Sequence, residues 1–438
     1  MRRGNVVLIS ILFLITIIFG LQYAHRTFGL ETGILTIPED WLVKMGFPTD
    51  SERTEATLPA PTPVATPEPV VTTPAMGAVL AIPLNVSTEA VTESASQSAR
   101  RKEFLERLAL IEEVKPAGVV LFGTKVAIVD AQRAIADVKR VSSSTLIFVD
   151  HEGGTVQRLS GAGFTALPSL RQQCALTTEE LRTQIASSAA ELSVAGVDVI
   201  FAPVVDRATG GVLGNRTCSS SPEENSDTAQ VYIDEMSKFS IGVVLKHFPG
   251  IGGVTRDLHV SAATTSFSRE DILPFALLEQ FNENTLPIMV SSVVATQIEG
   301  LTAEGDGLPC ALSRYCVGML AESYKDAVLF SDALEMESAG VVPDDFAKVF
   351  RSSIDASTSA QINSKELTLA ERSVVALEAG IDVLVYGPSV NNDELRESLS
   401  ALTARHEKGQ SMPGSLFSVR YNEAVQKISK WNEARYAR

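Results

Sequence analysis

From Gly77 onward, short apolar runs alternate with longer amphipathic stretches. The runs lie at 78–84, 118–122, 145–149, 197–201, 241–245, 287–291, 327–330 and 381–386. Each is too short for a helix. Each is a continuous Val/Ile/Leu-type run, the pattern of a parallel strand covered on both faces. Between them, apolar residues recur at helical spacing near 97–113, 126–139, 178–195, 226–239, 269–283, 313–323 and 340–378, with a last helix near 417–434. Eight strand–helix units in one register predict an α/β fold, a (β/α)8 TIM barrel over 76–438. A doubly wound open sheet shares the alternation, and the count of eight favours the barrel.

The first 75 residues follow a different pattern. A basic tip, 1–5, precedes the uncharged run 6–24, which is long enough to cross a bilayer as a helix. Arginines before it and no basic cluster at once after it put the tip in the cytoplasm and the rest outside. The reading is a transmembrane signal anchor, with a cleaved signal peptide as its rival. Residues 25–75 form a linker, rich in Pro and Thr from about residue 54, that holds the domain off the membrane. A single N-terminal helix thus anchors an extracytoplasmic catalytic domain.

Composition adds exclusions. Lys plus Arg is 37 against 53 Asp plus Glu, a net charge of −16, which argues against nucleic acid as a partner. Cys174, Cys218, Cys310 and Cys316 lack zinc-type spacing and read as small buried apolar residues. In an oxidising compartment, Cys310 with Cys316 and Cys174 with Cys218 become candidate disulfides.

In a barrel, chemistry collects where strands end. After the third run comes Asp150-His151-Glu152-Gly153-Gly154, and after the fourth, Pro203 and Asp206. After the fifth comes Lys246-His247-Phe248-Pro249-Gly250-Ile251-Gly252-Gly253, then Asp257-Leu258-His259. The seventh ends in Ser331-Asp332-Ala333-Leu334-Glu335-Met336. Asp332 is placed either as a nucleophilic carboxylate at the mouth or as the cap of the next helix. Asp257, two residues from His259, is placed to fix the imidazole for acid/base work, or is an unrelated loop residue. Lys246 and His247 are candidate donors to hydroxyls, or an internally paired Lys and its neighbour. A metal site of His247, His259 and Asp257 lacks HxH or HxxxH spacing, so neither metal nor cofactor is expected.

Together VDHEGGTVQRL, FAPVVD, KHFPG, DLH and LFSDALEM resemble glycoside hydrolase family 3, specifically its single-barrel β-N-acetylglucosaminidases, over about 77–387. The resemblance implies a retaining exo-glycosidase for terminal β-linked N-acetylglucosamine or N-acetylhexosamine of glycans, with peptidoglycan fragments as one candidate source, acting as a monomer. It implies Asp332 as nucleophile, His259 as acid/base and Asp257 as its orienting partner. Asp150, Arg216, Lys246 and His247 would bind the sugar. Ile251 stands where the family has His, Leu258 where it has Ser, Thr155 where it has Arg, and Ser291-Ser292 where a His is usual. Two other readings remain open: a catalytically weakened glycan-binding scaffold, and a β-glucosidase-like relative.

Overall fold

The computed structural model describes residues 76–87, 99–281, 286–298, 305–324, 326–354, 366–411 and 415–436. All belong to one compact unit, Thr72–Arg438. The elements run β1 (Leu80–Asn85), α1 (Ala99–Val114), β2 (Gly118–Phe122), α2 (Ile128–Val141), β3 (Leu146–Val149), β4 (His151–Gly153), β5 (Val156–Gln157), α3 (Leu170–Gln173), α4 (Thr178–Ala195) and β6 (Val199–Ile200). They continue α5 (Pro222–Ser237), β7 (Gly242–Val243), β8 (Leu245–Phe248), β9 (Thr264–Phe267), α6 (Arg269–Phe281), β10 (Ile288–Val290), β11 (Val294–Ile298), α7 (Arg314–Ser323) and β12 (Leu329–Ser331). The chain ends with α8 (Glu337–Gly340), α9 (Asp344–Ile354), α10 (Leu369–Ala379), β13 (Leu384–Val385), α11 (Asn392–Gln410) and α12 (Leu416–Tyr436). All eight apolar runs contain strand residues. The long helical stretch near 340–378 is instead three helices, α8 to α10. Helix α11 was not anticipated: its face is mostly charged, and its start is marked by an Asn391–Glu394 capping box.

The expected closed eight-stranded barrel is corrected. Hydrogen-bonded ladders form a six-stranded half-barrel sheet, ordered β13-β1-β2-β3-β6-β7, and a separate three-stranded sheet, β12-β10-β8. Among the described residues the two seams carry the isolated bridges Val204↔Lys246 and Phe330↔Val383 and a few backbone bonds, including Val205 N–H to Lys246 O (2.9 Å), Ser331 N–H to Val383 O (2.9 Å) and Val383 N–H to Leu329 O (3.0 Å). The physical reasons for the interrupted ladders are local. At the first seam the chain leaves β6 through Pro203, which has no N–H to give a ladder. At the second, side chains take two of the backbone donors: Leu329 N–H goes to Asp382 Oδ2 (2.9 Å) and Val385 N–H to Ser331 Oγ (2.9 Å). The architecture is therefore TIM-barrel-like rather than a continuous ring. Among the described residues no helix is long and apolar enough to cross a membrane, and the run 6–24 lies outside them. The linker 25–75 also lies outside them.

The two sheets share one core. Phe148 of β3 and Phe201 after β6 meet Phe330 of β12, with ring centroids 5.4–5.7 Å apart. Trp431 of α12 packs edge-on against Phe330 at 5.9 Å. Contacts across this aromatic cluster tie the two sheets together where ladder bonds are few. All four cysteines are paired, Cys174–Cys218 and Cys310–Cys316, so the reading of them as unpaired apolar residues is set aside. A further parallel pair, β9 with β11, joins the loops that follow β8 and β10. Phe330→Ala should destabilise the domain by about 3–5 kcal/mol, read from the urea unfolding midpoint, because the ring is fully buried at this junction.

Candidate active site

A cavity of about 380 Å³ opens where the strands end. Its wall carries every residue singled out from the sequence: Asp150, Arg216, Lys246, His247, Asp257, His259 and Asp332.

The floor is an ion network. Lys246, on β8, is 2% exposed. Its Nζ lies 2.9 Å from Asp150 Oδ1 and 2.6 Å from Glu152 Oε1. Arg216 clasps Glu152 with two bonds, Nε to Oε2 at 2.8 Å and Nη2 to Oε1 at 2.9 Å. Burial by itself would raise the Glu152 carboxyl, but Lys246 and Arg216 outweigh it and hold the pKa down at about 2. The same carboxylates keep Lys246 charged despite its burial, with its pKa raised.

Local structure puts these groups together. Gly153 and Gly154, both at positive φ, turn the chain from β4 into β5. A Cβ on Gly153 would stand 2.3 Å from the Pro168 carbonyl oxygen. The hairpin brings Arg158 back toward Asp150, with Nε 3.8 Å from Oδ2, and lays its guanidinium over the Phe122 ring. Arg216 sits in a short 3-10 turn, Gly214–Arg216. Arg171 Nη2 donates to Gly214 O (3.1 Å) and Thr217 Oγ1 (3.2 Å), and Cys218 is bonded to Cys174 beside α3.

His247 is held by Asp206, which is fully buried. Asp206 Oδ2 lies 2.7 Å from the ring Nδ1 and accepts the His247 backbone N–H at 3.0 Å, while Oδ1 accepts from Ile251. That leaves Nε2 as the ring nitrogen available to the cavity.

Asp332 follows β12. Its backbone N–H donates to Val290 O (2.8 Å), and its Oδ1 accepts from Ala333 N–H (2.8 Å). Helix α8 does not begin until Glu337, so Asp332 is not its cap. The loop with Asp257 and His259 lies against α8: Ser338 N–H reaches Leu258 O at 3.3 Å and Glu337 N–H reaches His259 O at 3.5 Å. Asp257 Oδ1 accepts the backbone N–H of His259 at 2.9 Å. Among the described residues no hydrogen bond joins this carboxylate to the imidazole, so the expected side-chain contact is not formed in this state.

Four site residues are given no role by the sequence: Glu152, Arg158, Asp206 and Glu335. Glu152, Asp206 and Glu335 lie in the strand-end stretches named above, and an acid shortly after a buried run was the available signal for Glu152 and Asp206. Ile251 and Leu258, which replace polar residues, are buried and line the cavity beside Met289 and Met336. Thr155 is exposed. No group of acidic, His and Cys side chains suited to a metal occurs among the described residues.

Residues 96–413 match the model of the glycosyl hydrolase family 3 N terminal domain. The chain belongs to this family and is a glycoside hydrolase. It is 32% identical over 301 residues to a beta-hexosaminidase of Methylococcus capsulatus, covering 66% of this chain and 78% of that one. A beta-hexosaminidase of Idiomarina loihiensis is 29% identical over 283 residues, 61% of this chain and 75% of that one. The crystal structure of beta-N-acetylhexosaminidase from Beutenbergia cavernae has the same fold at a TM-score of 0.61 and 20% identity, covering 82% of this chain and 97% of that one.

Glu152→Gln should cost about 3–5 kcal/mol of stability at neutral pH, because it leaves Lys246 and Arg216 facing each other with too little negative charge. The wild type should lose this contribution as pH falls from the ordinary carboxylate range toward about 2, since its folded pKa is depressed. Thermal unfolding across pH reads both, and an equal acid response in the variant would contradict the assignment. Replacing Cys174 and Cys218 by Ser should raise KM more than it lowers kcat, because the clamp on the Arg216 turn is lost.

Proposed function

We propose that this glycoside hydrolase is a retaining exo-β-N-acetylhexosaminidase that removes terminal β-linked N-acetylglucosamine from glycans, with peptidoglycan fragments as a fitting source. The observation that carries this reading is that Asp332 and His259 share one cavity wall above a floor of fixed charges. Asp332 attacks the anomeric carbon as the glycosidic bond breaks. The His259 imidazolium gives its proton to the departing oxygen. The neutral imidazole then takes a proton from water, which displaces Asp332 and releases the sugar with its configuration retained. Asp257 supports the imidazole once its carboxylate turns from the backbone to the ring.

Lys246, Arg216, Asp150 and the Nε2 of His247 bind sugar hydroxyls through charge-assisted hydrogen bonds. The apolar side formed by Ile251, Leu258 and Met336 suits the methyl of an N-acetyl group. The names of the relatives support the same sugar class. The two disulfides support an oxidising, extracytoplasmic location.

The test is release of p-nitrophenol from its N-acetyl-β-glucosaminide. Asp332→Asn should lower kcat at least about 10⁴-fold and His259→Ala about 10²–10⁴-fold. The first-formed sugar, followed by proton NMR, should be the β-anomer. Normal turnover by the Asp332 variant would refute the mechanism. Sugar binding without turnover by the wild type would favour a glycan-binding scaffold.

A further inference from the structure

Glu335 has no role in the mechanism above, yet it is the most deliberately positioned carboxyl group at the mouth. It lines the cavity with Asp332 and His259. Arg372, buried on α10, donates to the carbonyls on either side of it, Leu334 O at 2.8 Å and Met336 O at 3.0 Å. Leu334 N–H is also tied to Val385 O at 3.0 Å. The carboxylate itself accepts Gly387 N–H on Oε2 at 2.9 Å. A Cβ at position 387 would stand 1.9 Å from Glu335 Oε1, so only glycine lets the carboxyl lie there. Backbone on both sides, a backbone donor and a missing side chain all fix one acidic group in place.

Its surroundings define what it does. The segment just after it, Glu337–Ser338, bonds the backbone of Leu258 and His259, which brings the acid/base loop to this side of the mouth. The titratable and charged groups it interacts with electrostatically are Asp332 at the end of β12, His259 on the loop, Arg372 on α10, itself paired with Glu366 at 3.0 Å, and Tyr386 at the end of β13. Asp257, the other acid near the imidazole, is occupied by a backbone N–H.

We propose that Glu335 is a positioning residue of the active site that acts through His259: its fixed carboxylate, on the same cavity wall, is the counter-charge to the imidazolium that gives its proton to the leaving oxygen. The inference rests on the assignment of His259 as acid/base. Burial is the largest influence on Glu335 and raises its pKa; the Gly387 N–H opposes this, the Asp332 charge adds to it, and His259 opposes it. The carboxyl is thus neutral in acid and becomes charged as pH rises, when a protonated imidazole most needs a counter-charge.

The experiment is the pH profile of kcat/KM on p-nitrophenyl N-acetyl-β-glucosaminide, with the full chain. Glu335→Gln keeps the shape of the side chain and an acceptor for Gly387 while removing the charge. Its alkaline limb should move down by roughly half a pH unit or more, because the imidazolium loses a nearby anion. An unmoved limb, with activity or KM changed to any degree, overturns the proposal and leaves Glu335 a structural or sugar-binding group. Should the Gln variant not fold, Glu335→Asp, which retracts the charge by one methylene, must move the limb down by less, and a stationary limb there is equally fatal. Asp332→Asn and His259→Ala, measured beside them, separate the two failures. If those variants turn over normally, the mechanism itself is wrong. If they are inactive and the Glu335 limb is stationary, only this inference is.

Discussion

The structure depends on one buried carboxylate bound by two cations. Glu152 bridges Lys246 and Arg216, with Asp150 also paired to Lys246, and the three come from elements far apart in sequence: the strand β4, the strand β8 and a 3-10 turn between them. Taking three ionised groups out of water is costly, and the cost is offset only if each keeps short, well-aligned partners. The network therefore admits one arrangement of strand ends. It also determines what the cavity offers a ligand. With Glu152 saturated, Asp150 is left as the acceptor on the floor, while spare N–H groups of Lys246 and Arg216 remain as donors. An array of fixed donors and acceptors with almost no side-chain freedom suits the hydroxyls of a pyranose.

The seams in the sheet follow from the same economy of polar groups. A closed ring of eight ladders would satisfy each strand from its neighbours. Here Asp382 and Ser331 reach into the second seam and accept the N–H groups that a ladder would use. Phe148, Phe201 and Phe330 add cohesion to the few backbone bonds that cross the gap. Asp332, the residue proposed as nucleophile, follows this seam directly, where side-chain and backbone acceptors share the N–H groups.

Much of this was legible in the sequence, and the reasons are particular. The strand ends carrying Asp150, Lys246 and Asp332 were found because buried runs stop abruptly at polar residues. The resemblance of KHFPG and SDALEM then supplied roles that spacing alone left open. Helix α11 was missed because its charged face hides the period, and the division of 340–378 because apolar residues keep recurring along it. The closed ring was over-read: eight apolar runs report eight buried strands, but ladder closure depends on which side chains compete for N–H groups. Glu152 and Asp206 were missed since a sequence does not reveal which acid at a strand end will be the paired one. The anchor expected at 6–24 belongs to a segment outside the described residues.

The division of labour around the cavity follows from what each group must do. A nucleophile has to meet the anomeric carbon within a few tenths of an ångström, and Asp332, proposed for that role, stands at the end of a strand with both its backbone and carboxylate bonded. An acid/base must instead reach a leaving oxygen whose position varies with the aglycone, and His259, proposed for that role, is exposed on a loop that meets α8 through the carbonyls of Leu258 and His259. Placing the proton donor on a loop costs precision. It also costs electrostatic control, because an exposed imidazole is screened by water. A carboxylate on the rigid wall restores part of that control without moving with the loop. Glu335 meets that requirement, held by Gly387 and flanked by carbonyls that Arg372 holds. Rigid charge at the wall and a mobile ring above it are compatible demands only if different residues carry them.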